Sequence, residues 1–131
     1  APAAGGPGPP PRGLAVVLST GALNPVHLGH VQMLHQAKAC LEAEGFGVVG
    51  AWVSPSHDGY VQPKALKLGT LALSSGFRVE LARRAVARDE LVAVGAWEAE
   101  HQGRWPDFPQ VIRALRQELM EQIASNAALE H

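Results

Sequence analysis

The run Gly13-Leu14-Ala15-Val16-Val17-Leu18-Ser19-Thr20 is apolar almost throughout and ends in small polar residues, without alternation between wet and dry positions. Such a run suits a strand covered on both faces, as in a parallel sheet. The residues that follow fit that demand. Gly21 to Pro25 has turn composition, and from there Leu28, Val31, Leu34 and Leu41 recur at helical spacing until Gly45 and Gly47. Val48-Val49-Gly50-Ala51-Trp52-Val53 is a second strand of the buried type, stopped by the loop-forming Ser54-Pro55-Ser56-His57-Asp58-Gly59.

Residues Tyr60 to Leu73 read mostly as loop. Ser74 or Ser75 then caps a helix carrying Phe77, Leu81, Ala82, Ala85 and Val86, and Leu91-Val92-Ala93-Val94 makes a short third strand. Asp107 caps a last helix that tolerates Pro109 in its first turn and carries the stripe Val111, Ile112, Leu115, Leu119 and Ile123. The expected order is βαβαβα. Right-handed crossovers turn that order into an α/β fold of three layers, a Rossmann-like half with a parallel sheet.

Composition narrows the function classes. The chain has 131 residues, enough for one domain, and is 47% hydrophobic and 18% charged, which suits a globular core. A formal charge of −1 argues against a broad basic face for nucleic acid or an anionic membrane. No stretch approaches the roughly 18 apolar residues of a membrane span, and the start lacks the order of a signal peptide. An intracellular compartment, cytoplasm or nucleus, is the expectation. Cys40 stands alone within a helical pattern and is expected to be a buried or inert thiol. Residues 1–12, rich in Ala, Pro and Gly, read as a flexible leader, residues 13–126 as the folded unit, and residues 127–131 as a purification-tag remnant.

The chemistry concentrates in Thr20-Gly21-Ala22-Leu23-Asn24-Pro25-Val26-His27-Leu28-Gly29-His30, which joins the first strand to the first helix. Ligands of open α/β sheets bind at this carboxyl end of the strands. Gly21 permits a sharp turn and close backbone approach to a phosphate. The exposed amides and dipole of the following helix favour an anion. His27 and His30, three residues apart, can share one side of the first helical turn and donate to phosphate oxygens, with Gly29 keeping the surface low between them. Either histidine could instead be solvated or act as a cap. A metal site would need a third ligand, and His57 lies in a distant loop, so no metal is expected on protein side chains.

The complete pattern G-x-x-N-P-x-H-x-G-H directly after a buried strand resembles the signature of the nucleotidylyltransferase superfamily. Val53-Ser54-Pro55-Ser56-His57-Asp58-Gly59-Tyr60 is similar to the S-P-x-x-D-x-Y loop of nicotinamide/nicotinic acid mononucleotide adenylyltransferases. Lys64-Ala65-Leu66, Ser74-Ser75-Gly76-Phe77-Arg78, and Trp97-Glu98 with Trp105 resemble successive segments of that family. The resemblance covers roughly Gly13 to Leu119, as an N-terminal half. It implies backbone contacts to ATP from Gly21 and Ala22 with Leu23 beside them, and phosphate contacts from His27, His30 and Lys64. Trp105 would stack on a pyridine ring, while Trp97 is expected in the core. The implied ligands are ATP with Mg²⁺ and a pyridine mononucleotide.

Three departures matter. Ala22-Leu23 stands where the family usually has Ser-Phe, and Phe108 replaces a threonine on the substrate side. The family's late Ser-Ser/Thr-x-x-Arg/Lys motif has no counterpart after a fifth strand; Ser74 to Arg78 matches the string but reads as a helix start. The first strand is then left at an open edge, which favours self-association. The resemblance implies an adenylyltransferase of which this stretch alone is incomplete and inactive. Another cytidylyl or adenylyl acceptor, and a non-catalytic nucleotide-binding module, are the alternatives.

Overall fold

The computed structural model describes residues 8–129. Residues 1–7 of the expected leader and residues 130–131 of the expected tag remnant lie outside it.

The apolar run forms β1 (Leu14–Gly21), and the second forms β2 (Gly47–Pro55). Between them α1 (Leu28–Ala43) buries Val31 and Leu34 against the sheet. Its end is set by Gly45, whose φ of 94° lies in the left-handed region that a Cβ disfavours. There the Gly45 and Phe46 amides donate to Glu42 and Leu41 carbonyls at 3.0 Å each. The strands run parallel, with Leu14 opposite Gly47 and Gly21 opposite Pro55.

Two helices, rather than one, separate β2 from the third strand. α2 (Asp58–Leu68) occupies most of the stretch read from sequence as loop. Gly59 and Pro63 gave it a loop's composition, but Pro63 is exposed, and Val61 and Ala65, four residues apart, bury one narrow face. Gly69, with φ 67°, closes this helix. α3 (Ser75–Ala85) follows, with the Ser74 hydroxyl accepting from the Phe77 amide as its N-cap. Its inward face is Arg78, Val79 and Ala82, with Val86 just beyond; Phe77 and Ala85, expected inside, face outward.

β3 (Val92–Val94) pairs parallel with β2, Ala51 opposite Val92, so the sheet order is β1-β2-β3. The Asp89 carboxylate starts this strand by accepting from the amides of Leu91 (2.8 Å) and Val92 (2.9 Å). A short α4 (Trp97–Glu100) and the long α5 (Phe108–Leu129) complete the chain. At the start of α5, Asp107 accepts from the Gln110 amide (2.9 Å) while Gln110 accepts from the Asp107 amide (2.8 Å), a reciprocal cap.

The core packs on one face of the sheet: Leu23, Val31, Leu34, Ala51, Val53, Val86 and Val92. On the opposite face Val111 is buried, but Leu14, Val16, Val49, Ile112 and Ile123 stay exposed along a cavity of about 570 Å³ under α5. Among the described residues β1 is an edge strand. Cys40 is exposed on α1, not buried. Trp97 is 41% exposed, with its ring 4.8 Å from that of His101, so it is not the core residue expected. The polar neighbour Glu98 is buried in its place.

Candidate functional site

β1 and β2 end side by side, and the Ser56 amide donates to the Gly21 carbonyl at 2.8 Å. Two cavities meet over this end and share Thr20 and Gly21. The first, about 440 Å³, is lined by Gly21, Ala22, Leu23, His27, His30 and Lys64 among others. The second, about 240 Å³, is lined by Ser56, Tyr60, Glu98, Trp105, Pro106 and Phe108 as well as the shared pair. All seven residues singled out from sequence thus stand around one strand end.

The turn is not made where expected. Gly21 is the last residue of β1, and a Cβ there would meet no atom within 4 Å. The sharp change of direction falls on Leu23, whose φ of 46° is left-handed, a position that costs a non-glycine residue about 1–2 kcal/mol. Its side chain is 4% exposed and anchored in the core, which offsets that cost. Asn24 adds a clamp: its Nδ2 donates to the Leu71 carbonyl (2.7 Å), and its Oδ1 accepts from the Leu73 amide (2.8 Å).

His27 is the N-cap of α1. Its Nδ1 accepts from the Gly29 amide at 3.1 Å, and the His30 Nδ1 accepts from the His27 amide at 3.0 Å. The two rings stack with centroids 3.7 Å apart. Gly29 leaves room for this fold-back, because a Cβ there would sit 3.0 Å from the His27 ring and push it by a few tenths of an ångström. With both Nδ1 atoms accepting, the neutral rings carry their protons on Nε2. Each histidine thus caps through Nδ1 and has Nε2 without a partner among the described residues, so capping does not exclude a role as donor, where the sequence offered the two as alternatives. Burial first, and then the neighbouring His27, hold the His30 pKa below the ordinary imidazole range.

Lys64 is exposed, with Nζ 3.4 Å from the Tyr60 hydroxyl and 5.2 Å from that ring's centroid. Tyr60 in turn lies against Trp105, centroids 4.9 Å apart, so the three form a row from one cavity to the next. Trp105 is 48% exposed and free to present a ring face.

Two residues that the sequence offers only inside family-like segments, Arg78 and Glu98, are buried. Arg78 has no exposed surface and donates to four partners, among them the Ala22 and Ser56 carbonyls. Glu98, 4% exposed, receives the Ser54 hydroxyl at 3.3 Å. Burial raises its pKa above the ordinary carboxylate range, against the opposing effect of Ser54, Trp105, His57 and Arg78. The charge of each lies within an otherwise apolar helical face, a mismatch visible in sequence only once the face is known. Asp58 pairs with Arg78 at 3.0 Å. No cluster of three or more metal-ligating side chains occurs among the described residues.

A model of the cytidylyltransferase-like family matches residues 18–128, from the middle of β1 through nearly all of α5. The chain belongs to the cytidylyltransferase-like family. Within it, the chain is 36% identical over 92 residues to a nicotinamide/nicotinic acid mononucleotide adenylyltransferase of Oryza sativa subsp. japonica, covering 70% of this chain and 34% of that protein. To nicotinamide/nicotinic acid mononucleotide adenylyltransferase 2 of Danio rerio it is 31% identical over 109 residues, covering 82% of this chain and 33% of that protein. A relative from Arabidopsis thaliana with the same enzyme name as the Oryza protein is 33% identical over 84 residues, covering 64% and 32%. The chain therefore spans about one third of the length of these cytidylyltransferase-like relatives. No helix among the described residues is long and apolar enough to cross a membrane.

Proposed function

We propose that this chain carries the phosphate-binding side of an adenylyltransferase that joins ATP to a pyridine mononucleotide and forms a dinucleotide of the NAD type. The observation that carries the reading is the paired His27 and His30 capping box beside the end of β1, with neither Nε2 partnered among the described residues and so both open to an anion. Names shared by the relatives supply the substrate class.

In this reaction the phosphate of the mononucleotide attacks the α-phosphorus of ATP and pyrophosphate leaves. No covalent enzyme intermediate is required. His27 and His30 donate to phosphoryl oxygens where charge develops, and the N-terminus of α1 adds its dipole. Gly21, Ala22 and Leu23 offer backbone to the nucleotide, and Lys64 offsets phosphate charge. Trp105 stacks on the pyridine ring in the adjoining cavity, with Phe108 shaping its far side. Mg²⁺ enters as part of the substrate, on the triphosphate oxygens. This stretch alone binds phosphate and does not turn over.

The test is calorimetric titration of the chain with Mg-ATP and with nicotinamide mononucleotide, beside a His27→Ala/His30→Ala variant. Binding that disappears in the folded variant supports the assignment. Equal binding in both would place the phosphates elsewhere and overturn it. Dinucleotide formation by the isolated chain would overturn the claim that it does not turn over.

A further inference from the structure

Arg78 lies in α3, outside the two cavities, yet its guanidinium is fully buried. A buried guanidinium must have its donors satisfied, since an unmet donor keeps the full cost of its desolvation. Here every bond goes to a segment that frames the site. Nη1 donates to the Ala22 carbonyl at 2.7 Å, and Nη2 donates to the Ser56 carbonyl at 2.7 Å and to Asp58 Oδ1 at 3.0 Å. Nε donates to the Leu73 carbonyl at 3.0 Å. One side chain thus ties the turn after β1, the turn after β2 and the approach to α3.

The Ala22 contact has a geometric consequence. In a planar trans peptide the carbonyl and the next residue's N–H point in opposite directions. With the Ala22 carbonyl drawn toward buried Arg78, the Leu23 N–H is turned away from Arg78, and Ala22 and Leu23 both line the cavity with His27. The left-handed Leu23 immediately follows, so the backbone there needs outside constraint to keep one conformation.

We infer that Arg78 is a positioning residue, which aims the Leu23 amide into the phosphate cavity and fixes its height against the start of α2, with Asp58 and Tyr60. The fork geometry is essential to this role, because a lysine is a point donor and cannot reach carbonyls in three directions. The inference rests on the proposed phosphate role of this cavity, but its structural half can be read without any ligand.

The experiment compares wild type, Arg78→Ala, Arg78→Lys and Asp58→Asn by backbone amide NMR, and titrates each with Mg-ATP. Arg78→Ala should remain helical while the Leu23 amide resonance shifts and its hydrogen exchange speeds up at least tenfold. Affinity for Mg-ATP should fall about tenfold. Millimolar methylguanidinium should restore both, which a general loss of packing would not allow. Arg78→Lys should behave like the alanine variant. If Arg78→Ala does not fold even with methylguanidinium, Asp58→Asn decides, since it takes the charge off a partly exposed partner and weakens its bond to Arg78. It should still shift the Ala22 and Leu23 resonances. Unchanged loop resonances in a folded variant overturn the inference. Altered loop resonances in a chain whose wild type never binds Mg-ATP would instead uphold the tie and sink the proposed phosphate role.

Discussion

The two helices that leave the ends of β1 and β2 are capped in the same way. His27 accepts from the Gly29 amide at 3.1 Å, and His57 accepts from the Gly59 amide at 2.9 Å. In each, a Cβ on the glycine would stand 3.0 Å from the histidine ring. The frame His-x-Gly is therefore one local device used twice. The rings differ in what happens at Nε2. His57 spends it on the His101 carbonyl at 3.1 Å, which ties α2 to the end of α4. His27 stacks on His30, lines the cavity, and has no partner at Nε2 among the described residues. The cap alone does not distinguish the two histidines; the partner of the second nitrogen does, and in the proposed phosphate site it separates a histidine spent on structure from one left to meet a ligand.

The largest effect that would break this comparison comes from removing both cavity histidines. Hydrogen bonds to charged groups contribute about 1.5–3 kcal/mol each. His27→Ala/His30→Ala should therefore weaken Mg-ATP binding by on the order of a hundredfold or more in calorimetry. The counterpart, His57→Ala, should leave that affinity within about twofold. It should instead lower thermal stability by about 1 kcal/mol, the usual cost of losing a cap. Equal losses of affinity in both would mean that the second nitrogen is not what distinguishes the two sites.

A smaller effect should follow from the glycines, neither of which has a positive φ. Gly29→Ala gains helix propensity of about 1 kcal/mol but pushes the His27 ring aside. Its melting temperature should change little while Mg-ATP affinity drops several-fold. Gly59→Ala displaces His57 and also approaches Trp105 Cβ, at 3.4 Å. Its expected signature is altered Trp fluorescence with unchanged Mg-ATP affinity. Loss of affinity in Gly59→Ala would show that the two caps are not independent.

Much of this comparison could be read in the sequence, but unevenly. The strands were legible because both runs are apolar without alternation, which few other structures tolerate. Residues 20–30 were legible because a glycine, a proline and two spaced histidines fall where a strand meets a helix. α2 was not, since Pro63 and Gly59 are loop-forming residues and only Val61 and Ala65 are buried on it. In sequence His57 belongs to that loop composition, so its likeness to His27 is not visible there. Arg78 and Glu98 were hidden for another reason. Their burial depends on partners 20 to 56 residues away in the chain, and no local pattern encodes that.

The smallest expected effects concern the titratable group beside each cap. His30, next to His27, is held below its ordinary pKa by burial and by that neighbour. Its folded value lies below the unfolded one, near 6.5, so the neutral ring stabilises the fold above that pH. The contribution fades as pH falls through the folded value. Glu98, influenced by His57, has the opposite sign. Its pKa is raised by burial, so its contribution is complete below the unfolded value near 4.3 and is lost as pH rises through the folded one. Melting curves across pH separate the two. His30→Asn should flatten the fall in stability below pH 6.5, because an amide can still accept from the His27 amide without titrating. Glu98→Gln should raise stability at neutral pH relative to wild type, with the difference closing towards pH 4. If the two variants changed the same limb of the profile, burial would not be setting the two pKa values in opposite senses. The chemical contrast between the caps would then rest on the Nε2 partners alone.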